Sequence, residues 1–190
     1  IRVISTIVGG GFGGKEDSTF DVSAVAGVLA LKTGRPVFYE YTRDEVFKNT
    51  GKRHAAYIHH RLAANKTGKI LGIDVFNIID KGAYQSVDAI PDRTTFYAGG
   101  PYAIPVSRAI AHSVYTNHPY GSAFRGLGSP QAHFAIECQM DMLAHELGMD
   151  PLELRLKNIL RDGDRTHSGQ VMLEERGLGL EECLTKVAEA

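Results

Sequence analysis

The sequence predicts an α+β fold, and three patterns carry that prediction. An apolar β-branched run leads through a glycine cluster into a helical stretch. Two alternating runs flank a hairpin-type turn, and capped, amphipathic segments dominate the C-terminal half. Taken in order, Ile1–Val8 is the apolar run and reads as a buried strand. Gly9-Gly10-Gly11-Phe12-Gly13-Gly14 follows, then a helix over Lys15–Thr33. Asp17 and Asp21 suit its positive end, and Ala24, Val25, Val28, Leu29 and Leu31 leave so little polar surface that it reads as well buried. Thr33-Gly34 ends that helix, and Pro36–Tyr41 reads as a second strand.

From His54 the period changes to two. Tyr57–Ala64 and Ile70–Asp80 alternate around the turn Asn65-Lys66-Thr67-Gly68, which predicts an antiparallel hairpin. Ser107–Tyr115 is a further strand, and Lys81–Ala103 between them is a long ordered loop with room for a short helix. After a second glycine cluster, Gly121 to Gly128, Ser129 caps a helix that has Pro130 at its first position. Ala132, Ile136, Met140, Leu143 and Leu147 form its apolar stripe, and Gly148 stops it. Asp150-Pro151-Leu152-Glu153 opens a short helix in capping-box form; Lys157–Gly179 is loose and polar; Leu180–Ala188 is a last amphipathic helix.

Composition narrows the function. The chain has 190 residues, 21 basic and 22 acidic, so its formal charge of −1 gives no electrostatic footprint for nucleic acid. No apolar run approaches the roughly 20 residues of a bilayer span. Cys138 and Cys183 are too few to hold an iron–sulfur cluster or a four-thiolate zinc site, and they form no disulfide framework. A reducing, cytoplasmic setting is the expectation. The start at Ile1, with no signal segment behind it, suggests a processed or trimmed chain. Glycine is the outlier, 21 residues or about 11% against a usual ~7%.

A glycine loop ahead of a helix presents backbone N–H groups to an anion. Gly9-x-Gly11-x-x-Gly14 fits a dinucleotide fingerprint, with Glu40 placed to hold a ribose, although a hairpin follows where another strand–helix–strand unit belongs. Gly9-x-x-x-x-Gly14-Lys15 imitates a P-loop, but Glu16 stands where a hydroxyl must bind magnesium.

Val8-Gly9-Gly10-Gly11-Phe12-Gly13-Gly14-Lys15-Glu16 also resembles the first cofactor loop of the molybdenum hydroxylases, the xanthine dehydrogenase and aldehyde oxidase family. Ala123-Phe124-Arg125-Gly126-Leu127-Gly128-Ser129-Pro130-Gln131 resembles that family's other cofactor loop, about 110 residues on. Met149 to Asn158 is similar to the segment that follows it. The resemblance implies a molybdenum cofactor-binding domain over residues 1–190, with 160–190 as linker and helix toward a missing second cofactor domain. It also implies a molybdenum–pyranopterin, with or without an appended nucleotide. In this family, an aldehyde or aromatic N-heterocycle is hydroxylated with water as oxygen source: Mo–OH attacks carbon and hydride passes to Mo=S.

By the same resemblance, Gly10, Gly11, Phe12 and Gly13 approach the cofactor, as do Phe124, Arg125 and Gly126, the arginine offering fixed donors to an anionic ligand. Glu16 faces the substrate as a catalytic residue, and Arg93 falls near an arginine that purine oxidisers use, with a solvent salt bridge as its competing explanation. Gly126 stands where carbon monoxide oxidisers carry cysteine, and Leu127 where purine and aldehyde enzymes commonly stack a Phe, which disfavours both carbon monoxide and a xanthine-like substrate. The catalytic base lies outside this chain. FAD and iron–sulfur clusters belong to partner domains or subunits, and the isolated chain is expected to be inactive. His59 and His60 point to opposite faces of a strand; His112, His133 and His145 lack ligand partners; Asp141 and Glu146 read as solvated charge.

Overall fold

β2 (Ile70–Gly82) is the central strand of a three-stranded sheet ordered β1-β2-β3, with β1 at Ala56–Ala64 and β3 at Ser107–Tyr115. The computed structural model describes residues 1–86 and 89–190; Val87 and Asp88, within the predicted 81–103 loop, lie outside the described residues. The β1–β2 turn is closed by Asn65, whose Oδ1 accepts from the N–H groups of Thr67 (3.0 Å) and Lys69 (2.9 Å). β3 pairs with β2 in the parallel sense: Ile73 N–H donates to Val106 O at 3.0 Å and, further along both strands, Thr116 N–H donates to Gly82 O at 3.1 Å. The sheet is therefore mixed, and with its helices the fold is α+β as predicted.

The helices are α1 (Ser18–Thr33), α2 (Arg43–Asn49), α3 (Ile90–Phe96), α4 (Ser129–Leu147), α5 (Pro151–Asn158) and α6 (Leu180–Glu189). The chain divides into two compact units. The first comprises Ile1–Ala55, Ile79–Ile90 and Ser113–Leu127; the second comprises Ala56–Ile78, Pro91–His112 and Gly128–Ala190.

The second unit owns the main apolar core, in which α4 packs on β1 and α5. Ile136, Met140 and Ala144 on α4 meet Ile73 and Val75 of β2, Tyr102 and Leu154. The predicted stripe is right in period, with Ala144 as the buried member it lacked and Leu143 and Leu147 only half-buried. Gly128, left-handed at φ 87°, is the N-cap of α4, so Ser129 is its first residue and not its cap. Asp150 caps α5 by accepting from the N–H groups of Leu152 (2.9 Å) and Glu153 (3.0 Å). Asn158 ends α5 fully buried. It accepts from Ile70 N–H at 2.9 Å and donates to Gly68 O at 2.8 Å, so it ties the helix to the hairpin.

The first unit departs from the sequence reading. Residues 1–8 form no strand, and Ile1, Val3, Ile4, Ile7 and Val8 are exposed. Pro36–Tyr41 is likewise no strand. β-branched runs become strands only beside a hydrogen-bonding partner, and neither segment is paired among the described residues. α1 begins at Ser18 instead of Lys15 because residues 12–17 are spent on turns. Val25, Val28, Leu29 and Leu31 are exposed, since an apolar helix face buries only against a facing layer. α2 was not anticipated, although Thr42 and Glu45 form a reciprocal capping box with the signal Thr-x-x-Glu. Among the described residues, no helix is long and apolar enough to cross a membrane.

Candidate cofactor site at two glycine loops

The two glycine clusters, distant in sequence, touch within the first unit. Gly13, left-handed at φ 84°, lies so close to the second loop that a Cβ there would stand 2.7 Å from the Ala123 carbonyl and 2.9 Å from Phe124 N. The Arg125 guanidinium lies over the Phe12 ring, 5.4 Å from its centroid. One loop therefore supplies backbone and ring, the other carbonyl and cation.

Each loop turns tightly for a definable reason. In the first, Gly14 N–H donates to Gly11 O at 3.0 Å, and both central residues are left-handed, Phe12 at φ 51° and Gly13 at φ 84°. That is the type I′ pattern, which ordinarily takes Gly, Asn or Asp. In the second, Leu127 N–H donates to Phe124 O at 2.9 Å, with Gly126 at φ 97° as in a type II turn. Leu127 follows at φ 40°. Among the described residues, Phe12 and Leu127 are the non-glycine residues with positive φ, one in each loop. An L-residue in that region costs roughly 1–2 kcal/mol, and such strain gathers at functional sites.

The glycines of the first loop do different work. Gly10 is filled by the Phe12 ring, whose Cε2 would stand 2.7 Å from an added Cβ, and Gly13 by the second loop. Gly9 and Gly11 face open space, with nothing within 4 Å of an added Cβ. Phe12 is 66% exposed, Leu127 38% exposed, and Arg125 and Phe124 are exposed as well. Open backbone, an exposed ring and a cation together suit a planar anionic group. They suit the pyranopterin that the resemblance implies.

The second loop is held from behind. Arg53 donates to Arg125 O at 2.7 Å while its guanidinium covers the Phe124 ring at 4.8 Å. Gly121 N–H donates to Lys81 O at 2.8 Å and Ser122 N–H to Lys52 O at 2.9 Å. The His54 ring occupies the space a side chain on Gly121 would need. Burial, helped by the positive charge of Lys81, holds the His54 imidazole below its ordinary pKa against the opposing charge of Asp80. Burial also lowers Lys52, and raises the Tyr120 phenol together with the charges of Asp17 and Asp21. Sequence reasoning did not find Arg53; an isolated arginine between two glycine loops carries no periodic or spacing signal.

Other predicted site residues are placed as follows. Glu16 is exposed at the end of the first loop, and its carbonyl accepts the Thr19 hydroxyl at 3.1 Å. Arg93 is exposed on α3 of the second unit. Asp141 is not simply solvated: it pairs with Arg155 at 2.8 Å, beside the Arg155–Glu137 bridge at 2.8 Å. Glu146 is exposed. His60 is half-buried against Ala98 O at 3.4 Å while His59 is exposed, as opposite strand faces require. His133 contacts Ser129 at 2.7 Å. Cys138 and Cys183 are exposed and unbridged. The dinucleotide reading finds no support, because Gly9, Gly11 and Gly14 follow no strand and Glu40 lies outside any strand.

An α+β chain with two apposed glycine loops, one of them with open backbone at Gly9 and Gly11, belongs to a definable class. The chain is a member of the molybdopterin cofactor-binding domain family, whose model matches residues 1–159. It is 43% identical over 169 residues to the aldehyde oxidoreductase of Megalodesulfovibrio gigas, which covers 88% of this chain and 18% of that protein. It is 40% identical over 190 residues to the nicotinate dehydrogenase large molybdopterin subunit of Eubacterium barkeri, covering 100% of this chain and 44% of that subunit. The solved aldehyde oxidoreductase from Desulfovibrio desulfuricans superposes with a TM-score of 0.81 at 37% identity, over 95% of this chain and 20% of its own. The chain thus spans less than half the length of these relatives.

Proposed function

We propose that this chain provides the two-loop cradle for a molybdenum–pyranopterin, with or without an appended nucleotide, inside a larger hydroxylating oxidoreductase. The observation that carries the reading is the apposition of Gly13 on the Ala123 carbonyl with Arg125 over Phe12. The bound group would supply hydroxylation of an electron-poor carbon in an aldehyde or N-heterocycle, with water as the oxygen source.

The chain's own residues orient and shield. Gly11, open above its Cα, lets backbone approach the planar group, and Phe12 covers one edge. Arg125 offers guanidinium donors to its anionic portion. Leu127 forms an apolar wall of the substrate pocket without an aromatic stacking face. Glu16, just beyond the first loop, holds a substrate heteroatom by hydrogen bond. No residue of this chain is assigned as the base.

Residues 1–190 act as the first cofactor domain, and 160–190 lead toward a second. The remainder of the large subunit, with FAD and iron–sulfur modules as electron acceptors, completes a cytoplasmic enzyme. The test is molybdenum and released pterin per full-length subunit in wild type, Arg125→Ala and Arg125→Lys. A severalfold loss in Arg125→Ala with partial recovery in Arg125→Lys is expected. Unchanged content in both variants would refute the assignment.

A further inference from the structure

Asp17 stands at the N-cap of α1, yet its side chain makes no bond to that helix. An aspartate in that place ordinarily accepts from the first-turn amides. Here Oδ2 accepts from the Ser122 hydroxyl at 2.6 Å and also from the Ser86 hydroxyl, and the two serine oxygens lie 2.8 Å apart. Ser122 is 3% exposed and immediately precedes Ala123, the residue on which Gly13 packs. It cannot retreat: its N–H is tied to Lys52 O at 2.9 Å, and a Cβ on Gly51 would stand 2.2 Å from its own Cβ. A carboxylate oxygen only accepts here, so Ser122 points its proton at Asp17, and the Ser86 hydroxyl donates into the same pair of oxygens, Asp17 Oδ2 and Ser122 Oγ.

We propose that Asp17 is the positioning residue that sets the separation of the two glycine loops. It lies just downstream of the first loop, and Ser122 just upstream of the turn of the second. One charge-assisted hydrogen bond therefore closes a 105-residue separation and keeps Arg125 over Phe12. The geometry stands by itself; its consequence for cofactor retention rests on the cradle reading above.

The test uses the full-length subunit in its complex, as wild type, Asp17→Ala and Asp17→Asn, with amide hydrogen exchange and molybdenum content read in parallel. Loss of bonds to a charged acceptor should speed exchange of the Leu127 amide by roughly ten- to a hundredfold in Asp17→Ala. Asp17→Asn keeps an acceptor oxygen and should restore most of the protection. The Gly34 amide at the far end of α1 should not change, because no cap bond is lost. Molybdenum retained through gel filtration should fall in the order wild type, Asn, Ala. If Asp17→Ala does not accumulate, Ser86→Ala removes one donor and should raise loop exchange about tenfold. Unchanged Leu127 exchange, or equal damage from Ala and Asn, would overturn the clamp whatever the molybdenum content. Faster exchange with unchanged molybdenum would support the clamp and overturn the cradle reading.

Discussion

Two neighbouring glycines should respond oppositely to the same methyl group. At Gly13 an alanine must hold φ near 84°, which costs about 1–2 kcal/mol. Its Cβ would also stand 2.7 Å from the Ala123 carbonyl, a backbone group that cannot swing aside as a side chain could. Wedging the loops apart adds about 1–3 kcal/mol, the usual cost of overpacking. The sum, about 2–5 kcal/mol, is a large share of a typical 5–15 kcal/mol stability. A fall in Tm of about 4–20 °C follows for a chain of this size. At Gly11 the added Cβ meets nothing within 4 Å and φ is not left-handed. Gly11→Ala should therefore shift stability by no more than about 1 kcal/mol, of either sign. The methyl would instead stand in the open space beside Gly11 where the planar group is proposed to sit, so Gly11→Ala should lower molybdenum content in the full-length subunit while the fold is kept. Calorimetry or urea unfolding of both variants, with metal analysis alongside, reads the two effects separately. If Gly11→Ala were the destabilised variant, or if it loaded metal normally, the division between a packing glycine and a cofactor glycine would be wrong.

Asn158→Leu should destabilise by about 2–4 kcal/mol in urea unfolding, because it strands the buried Ile70 N–H and Gly68 carbonyl; a loss under ~0.5 kcal/mol would refute that account. Burial holds the imidazoles of His54 and His60 below their ordinary pKa of about 6.5, with the Ala98 carbonyl partly offsetting the effect at His60. The unfolded chain therefore binds more protons just below that pH, so stability is full above about 6.5 and lost as pH falls beneath it. The urea midpoint should drop between pH 7 and 5, less steeply in His60→Gln, and an equal slope in that variant would discount the histidine. Asp80 is held below the usual carboxylate range because bonds from Thr116, His118 and Gly82 outweigh its burial; its contribution is lost only at more acid pH. Finally, the 190-residue chain alone should retain no molybdenum through gel filtration and show no hydroxylase activity; stoichiometric metal would contradict its being one part of a shared site.

What the sequence by itself determined were the features whose causes lie within a few residues. The Asn65 turn registers the hairpin, Gly34 and Gly148 stop their helices with left-handed caps, and Asp150 caps α5. The Ser107–Tyr115 strand, the α4 stripe and both glycine loops were legible for the same reason. The tertiary structure alone decided what depends on a partner. Ile1–Val8 and the apolar side of α1 have the composition of buried elements, yet they lie exposed, because neither pairing nor burial is a property of a segment taken singly. The glycines of the first loop are alike in sequence, but only three dimensions separate Gly10 and Gly13, filled by a ring and a carbonyl, from Gly11, left open. Asp17 likewise reads as a helix-start acid until the fold brings Ser122 to 2.6 Å and turns its carboxylate away from the helix. Local backbone preference acts over neighbouring residues, whereas a contact between distant loops exists only once the chain between them has folded.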